Sequence, residues 1–271
     1  MQKPPLLRIK PIFLKFFACL PACIFFLQPA LLIAEQLPVR YAEGAVRGFL
    51  VLRAEDGQII ADGDLTQVAR NGRVTDHLVF RFKDGSIHDE TTIFSQRGSF
   101  RLISDRVIQS GPSFKTPSET LIDAATGQVT IRLKEQGKEK VVSKRLELPA
   151  DVANGLMLVL VKNIRPETPR TTVSMVVGSS KPRLAKLLIT RQDEAKFSFG
   201  TISQKAVHYI VKIDIGGAAG IVAPLVGKQP PDSHIWVAEG EVPTFLGSAG
   251  PFYEDGPIWR IELAAPKPPA Q

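Results

Sequence analysis

Apolar and polar residues alternate with a period of two over most of this chain. Turn pairs punctuate the alternation at Asp56-Gly57, Asn71-Gly72, Asp84-Gly85, Arg97-Gly98 and Thr126-Gly127. Such alternation marks strands with one buried face, whereas an amphipathic helix repeats every 3.6 residues. Asn-Gly and Asp-Gly supply the positive φ angles of tight hairpins, so the spacing predicts an antiparallel meander. A turn at Asn71-Gly72 sets Arg70 opposite Arg73, Leu65 opposite Leu78 and Gly63 opposite Phe80. A two-residue turn at Asp84-Gly85 sets Phe82 opposite Ile87 and Phe80 opposite Asp89. A turn at Gln96-Arg97 sets Ile93 opposite Phe100 and Thr91 opposite Leu102. One face then carries Leu65, Leu78, Phe80, Phe82, Ile87, Ile93, Phe100 and Leu102. A slip of one residue would exchange the two faces.

Strands continue at 128–133 and 140–148 around the turn Glu135-Gln136-Gly137. Residues 151–163 are almost wholly apolar after Asp151, which can cap a helix. A helix without a polar face is a buried one, with Gly155 allowing close packing and Asn163 ending it. Further strands follow at 171–177, 183–191, 194–199 and 205–215, then at 234–238, 242–247 and 258–263. The expected fold is mainly β. It is a large curved antiparallel sheet, a half-barrel or incomplete barrel, with one principal helix near 150–163 packed on its concave face. Residues 35–264 form a single domain, and 265–271 form a disordered Pro-rich tail.

The first 34 residues depart from this pattern. Lys3, Arg8, Lys10 and Lys15 precede an apolar run from Phe16 to Ala34, and no acid occurs before Glu35. This is the layout of an export signal, so the expected location is periplasmic or extracytoplasmic. Cleavage after Ala34, lipidation at Cys23 and retention of 16–34 as a membrane anchor are the three fates open to it. Four of the seven net positive charges lie here, leaving +3 for the rest, whose basic residues alternate with acids. No basic stripe suited to nucleic acid is present. The chain's two cysteines, Cys19 and Cys23, also lie here. The remainder therefore has no disulfide and no thiol nucleophile.

The long one-sided meander, the string Asp151-Val152-Ala153-Asn154-Gly155-Leu156, and the later Gly216-Gly217, Ala223-Pro224, Gly227-Lys228 and Trp236 resemble bacterial envelope proteins of unknown function. Those proteins are thought to share the curved half-barrel of the lipoprotein carriers LolA and LolB. The resemblance spans about residues 42–264. It implies a fold and a compartment, and it carries over no catalytic residue.

Chemical motifs are few. Gly216-Gly217-Ala218-Ala219-Gly220 lacks the spacing of a dinucleotide fingerprint, and no Gly-x-Ser-x-Gly elbow occurs. His77, His88, His208 and His234 are scattered, so neither a metal nor a cofactor is expected. Asp76, Asp89 and Glu90 are the carboxylates that could serve a hydrolase, Asp76 and Asp89 on the apolar face under the registers above. The plainer reading makes Asp76 and Asp89 partners of strand-edge groups or of side-chain hydroxyls such as Thr91 and Ser104. Trp236 and Trp259 flank a loop whose Phe252 and Tyr253 could rim a sugar or acyl site or pack a corner of the sheet.

A greasy concave face can be filled by the helix, or it can stay partly open. Open, it would take a hydrophobic small molecule or lipid, with Phe80, Phe100, Leu102, Met157 and Leu158 as the lining. The expected function is non-enzymatic binding or carriage of such a ligand in the envelope. A structural or interaction module with a membrane or envelope protein partner is the alternative, and a hydrolase the third.

Overall fold

The computed structural model describes residues 36–135, 137–178, 180–199, 202–214 and 230–265. Residues 1–35, which include the expected export signal, Gly216-Gly217, Ala223-Pro224, Gly227-Lys228 and the residues from 266 lie outside the described residues. The chain runs through β1 (Val46–Arg53), β2 (Ile59–Arg70), β3 (Arg73–Phe82), β4 (Ile87–Ser95), β5 (Arg101–Ser110), β6 (Ser118–Asp123), β7 (Gln128–Glu135) and β8 (Lys138–Arg145). The helix α1 (Met157–Asn163) follows. Then come β9 (Arg170–Val177), β10 (Arg183–Phe199), β11 (Ile202–Asp214), β12 (Ser233–Ala238), β13 (Thr244–Pro251) and β14 (Ile258–Leu263).

These strands form one 14-stranded sheet in the order β8-β7-β6-β5-β4-β3-β2-β1-β14-β13-β12-β11-β10-β9. The first and last strands pair at its centre, and β8 and β9 are its open edges. The mainly β, antiparallel fold with one helix is as expected. Bulges near Leu52, Ile93, Arg191 and Trp236 interrupt the ladder and bend the strands. At Arg191 the bulge joins what read as two strands, 183–191 and 194–199, into the single β10.

The chain links the two edges through residues 146–169. Leu156, Val159, Leu160, Val161 and Ile164 from this link share one core with Ile122, Val129 and Leu133 of β6–β7 and Val173, Leu187 and Ile189 of β9–β10. Both flanks of the sheet therefore close on the same short rod. A second cluster gathers Leu50, Leu52, Phe80, Phe82, Phe114, Trp259 and Ile261 near the central strands.

The helix is shorter than the apolar run suggests, and Asp151 caps nothing. Gly155 has φ +68°, a left-handed conformation that interrupts helical propagation. A Cβ there would also run into Thr92 Oγ1. Residues 151–154 instead dress the free edge of β9. The Ala153 amide donates to Ser174 O at 2.8 Å, and the Ser174 amide donates to Asp151 O at 3.2 Å. The Asn154 carboxamide pairs with both backbone groups of Val176, at 2.9 and 3.1 Å. Asp151 accepts from the Ser174 hydroxyl at 2.8 Å and the Lys186 ammonium at 3.3 Å. The opposite edge, β8, exposes Lys138, Glu139, Lys140, Lys144 and Arg145. Pairing on one side and charge on the other protect the edges from further strand addition.

The β2–β3 register is the expected one, with Arg70 opposite Arg73, Leu65 opposite Leu78 and Gly63 opposite Phe80. Asn71 and Gly72 both take positive φ, as a two-residue hairpin of this kind requires. The next two hairpins differ. At Asp84-Gly85 only the glycine takes positive φ, and Phe82 N donates to Ser86 O. The loop is thus three residues, 83–85, and the register moves by one. Phe80 faces His88 and Arg81 faces Ile87. His88 enters the inner face, while Asp89 and Ile87 leave it. At the third hairpin the loop is 96–100, with Phe94 opposite Leu102 and Ile93 opposite Ser104. The N-terminal segment occupies that tip, through Val39 N to Gly98 O and Phe100 N to Leu37 O. Phe94, not Ile93, is therefore the core residue of β4.

Candidate functional site

Asn163, the last residue of α1, is fully buried. Its Oδ1 accepts the backbone N–H of Arg40 at 2.9 Å and of Tyr41 at 2.8 Å, and its Nδ2 donates to Val159 O at 2.9 Å. One carboxamide thereby holds the incoming chain against the end of the helix. Gln96 exchanges two hydrogen bonds with the backbone of Glu43, at 2.6 and 2.9 Å. Gln67 donates to the Glu43 carboxylate and to Gly44 O.

Between this strap, the end of α1 and strands β10–β12 lies an open cavity of about 360 Å³. Val161, Ile164, Pro166, Val207, Val237 and Pro243 supply its apolar walls. Arg40, Tyr41, Lys162, Arg191, Tyr209 and Glu239 bring polar groups to it. Lys162 pairs with Glu43 and Arg191 with Glu239, each at 2.6 Å. Burial pushes the Tyr209 phenol above its ordinary range, so it is a neutral hydroxyl at any physiological pH. The lining is thus mixed, with apolar side chains and polar groups in similar share.

Carboxylates gather further along the inner face. Asp76, Thr92 and Asp105 are cross-strand neighbours on β3, β4 and β5, and Thr92 donates its hydroxyl to Asp105 at 2.8 Å. Burial, with help from the Glu90 and Glu43 carboxylates, pushes Asp76 up to about 7 against the pull of Lys162 and His77. Asp105 is also raised well above the carboxylate range, by burial and then by Glu90, against the Thr92 hydrogen bond. Among the described residues, Asp76 Oδ1 is buried with no hydrogen-bond partner. Among the described residues, no group of three His, Cys, Asp or Glu side chains is placed to hold a metal ion. Asp89 points away from this cluster. It faces Val79 across the pair and meets His77 on the outer surface at 3.1 Å. The three carboxylates named from the sequence therefore do not converge.

The five expected lining residues are divided. Phe80 belongs to the central cluster, packed on Phe252 with ring centroids 5.6 Å apart. Phe100 and Leu102 belong to the helix-centred core, with Met157 and Leu158 packed against it. None of the five lines the 360 Å³ cavity. Phe252 and Tyr253 pack the corner around Trp259. Trp236 lies on the other face of its strand from Ile235 and Val237 and stacks on His208 at 5.0 Å. A shallow outer groove of about 240 Å³ crosses Arg47, Asp64, His77 and Arg81, where Arg81 and Asp64 already pair at 2.9 Å.

The sequence reading missed Arg40, Tyr41, Lys162, Arg191 and Tyr209. The available signals were weak ones, the Arg40-Tyr41 pair ahead of the first strand and Lys162-Asn163 closing an apolar run. No family model and no curated protein matches the chain. Among solved structures, it is similar to the crystal structure of a beta-barrel-like protein of domain of unknown function DUF1849 from Brucella abortus. The two share 9% identity and a TM-score of 0.41, over 81% of this chain and 94% of that one.

Proposed function

We propose that this chain is an exported, non-enzymatic envelope protein that binds a hydrophobic, lipid-like ligand in the cavity beside the end of α1. The cavity carries the reading. Its volume of about 360 Å³ lies in the range of small-ligand pockets, about 300–1,000 Å³. Apolar ligand surface buried there contributes about 25 cal/mol per Å², before the costs of ordering the ligand. Export rests on the basic and apolar composition of the first 34 residues. The test is to purify the protein from its own host and analyse the organic extract by mass spectrometry. A stoichiometric amphiphile supports the reading. An empty protein that also fails to bind added dodecanol contradicts it.

A structural or interaction module with a membrane or envelope protein partner is the second reading. The favouring observation is the filled interior, where Leu52, Val74, Phe80, Phe94 and Ile122 have no exposed surface. Under that reading the cavity stays empty in host extracts, and cross-linking in the envelope captures one recurrent protein.

A further inference from the structure

We propose that the cavity selects an amphiphile bearing a single anionic group, carboxylate or phosphate, and that Arg40 receives that group. This rests on the hydrophobic-ligand reading above. Three cations line the cavity, and two are already matched: Lys162 by Glu43 and Arg191 by Glu239, both at 2.6 Å. Arg40 is different. Its Nη1 donates to Ile164 O at 2.8 Å and its Nη2 to the Tyr41 hydroxyl at 3.4 Å. Its guanidinium carbon lies 5.1 Å from the centre of the Tyr41 ring. Among the described residues, no carboxylate lies within ion-pair distance of it.

A guanidinium has five N–H donors, so Arg40 keeps donors for a ligand after those two bonds. Its position is set in advance, because Asn163 fixes the backbone amides of residues 40 and 41. An Arg fork held in place suits carboxylate and phosphate oxygens. The apolar walls take the rest of the molecule, and the neutral Tyr209 hydroxyl offers one more donor nearby. Neutral or cationic amphiphiles would leave Arg40 without a counter-charge, or add a repelling one.

The experiment is calorimetric titration of the full chain with dodecanoate, dodecyl phosphate, dodecanol and dodecyltrimethylammonium, each below its micelle concentration. The expected result is at least about tenfold tighter binding of one or both anions than of dodecanol, a gap that narrows in high salt. The tighter anion tells a fatty-acid-like ligand from a phospholipid-like one. Arg40→Gln is expected to close the gap, the anions then binding no tighter than dodecanol binds to the same variant. Arg40→Lys, which keeps the charge but loses the fork, is expected to fall between. Equal affinity for dodecanol and both anions overturns the inference and leaves the hydrophobic-ligand reading standing. So does an anion preference that survives Arg40→Gln. Failure of all four compounds to bind overturns that reading itself, and the inference with it. If Arg40→Gln does not fold, the head-group ratio of the unaltered chain and the Arg40→Lys series decide.

Discussion

Asp76 carries the plainest consequence of burial at one position. Its carboxyl is pushed up to about 7 from 3.8. A carboxyl raised in the folded state holds its proton there after the unfolded chain has released it. Between about pH 4 and 7 the folded state therefore binds more protons, and stability falls as pH rises through that window. Asp105 acts in the same direction, whereas His208, held low by burial and by His234, acts in the opposite one below its ordinary value of 6.5. Urea unfolding should show a more stable chain at pH 5 than at pH 8. Asp76→Asn should narrow that difference by about 2–4 kcal/mol, and an unchanged difference would contradict the assignment. Gly155 is a second telling position. Alanine there meets both a positive φ and the Thr92 side chain, at an expected cost of about 1–3 kcal/mol. A loss below about 0.5 kcal/mol in urea unfolding would show that the turn relaxes freely. Close packing at Gly155 and an inward Asp76 were legible in the sequence. Asp105 was not, because the bulge at Ile93 and Phe94 shifts the alternation of β5 by one. His88 and Asp89 exchanged faces for a similar reason, one extra residue in the preceding turn.

The turn chemistry sets how far each hairpin could be read as an element. Asn71-Gly72 takes the two-residue form because Asn tolerates positive φ. Asp84 stays at negative φ, and its carboxylate accepts the Ser86 amide at 2.9 Å, which favours the longer loop. The third hairpin depends on residues 37–39, more than fifty positions away in sequence, and no local signal fixes it. The helix was legible as a buried apolar rod, but its start was not. Residues 151–154 satisfy β9, a partner that only the folded chain supplies. Asn163 was legible as a helix end, while its hold on Arg40 and Tyr41 was not, being a contact across 123 positions. Asn163→Ala removes a partner from two part-buried amides and from the buried Val159 carbonyl, at an expected cost of about 2–4 kcal/mol. Hydrogen exchange should quicken at Arg40 and Tyr41 ahead of the β1 and β14 amides. Unchanged protection at those two positions would show that the strap is held by other contacts.

At the scale of the molecule, the sheet is organised by what its hollow contains. The chain builds outward from β1 to β8, crosses through the shared core, and returns inward from β9 to β14. The antiparallel sheet with one helix in its concave face followed from periodicity and turn spacing alone. The strand order did not, since the β1–β14 pair joins residues more than two hundred positions apart. The cavity beside the end of α1 was equally hidden, because its walls come from the strap, the helix end and three late strands. Those parts meet only after the chain has crossed the sheet. The most direct test is backbone NMR of the folded chain titrated with dodecanoate. The account predicts saturable shift changes confined to the amides of Arg40, Val161, Ile164, Val207, Tyr209 and Val237. Changes absent at saturating dodecanoate, or centred on the outer groove at His77 and Arg81, would contradict it.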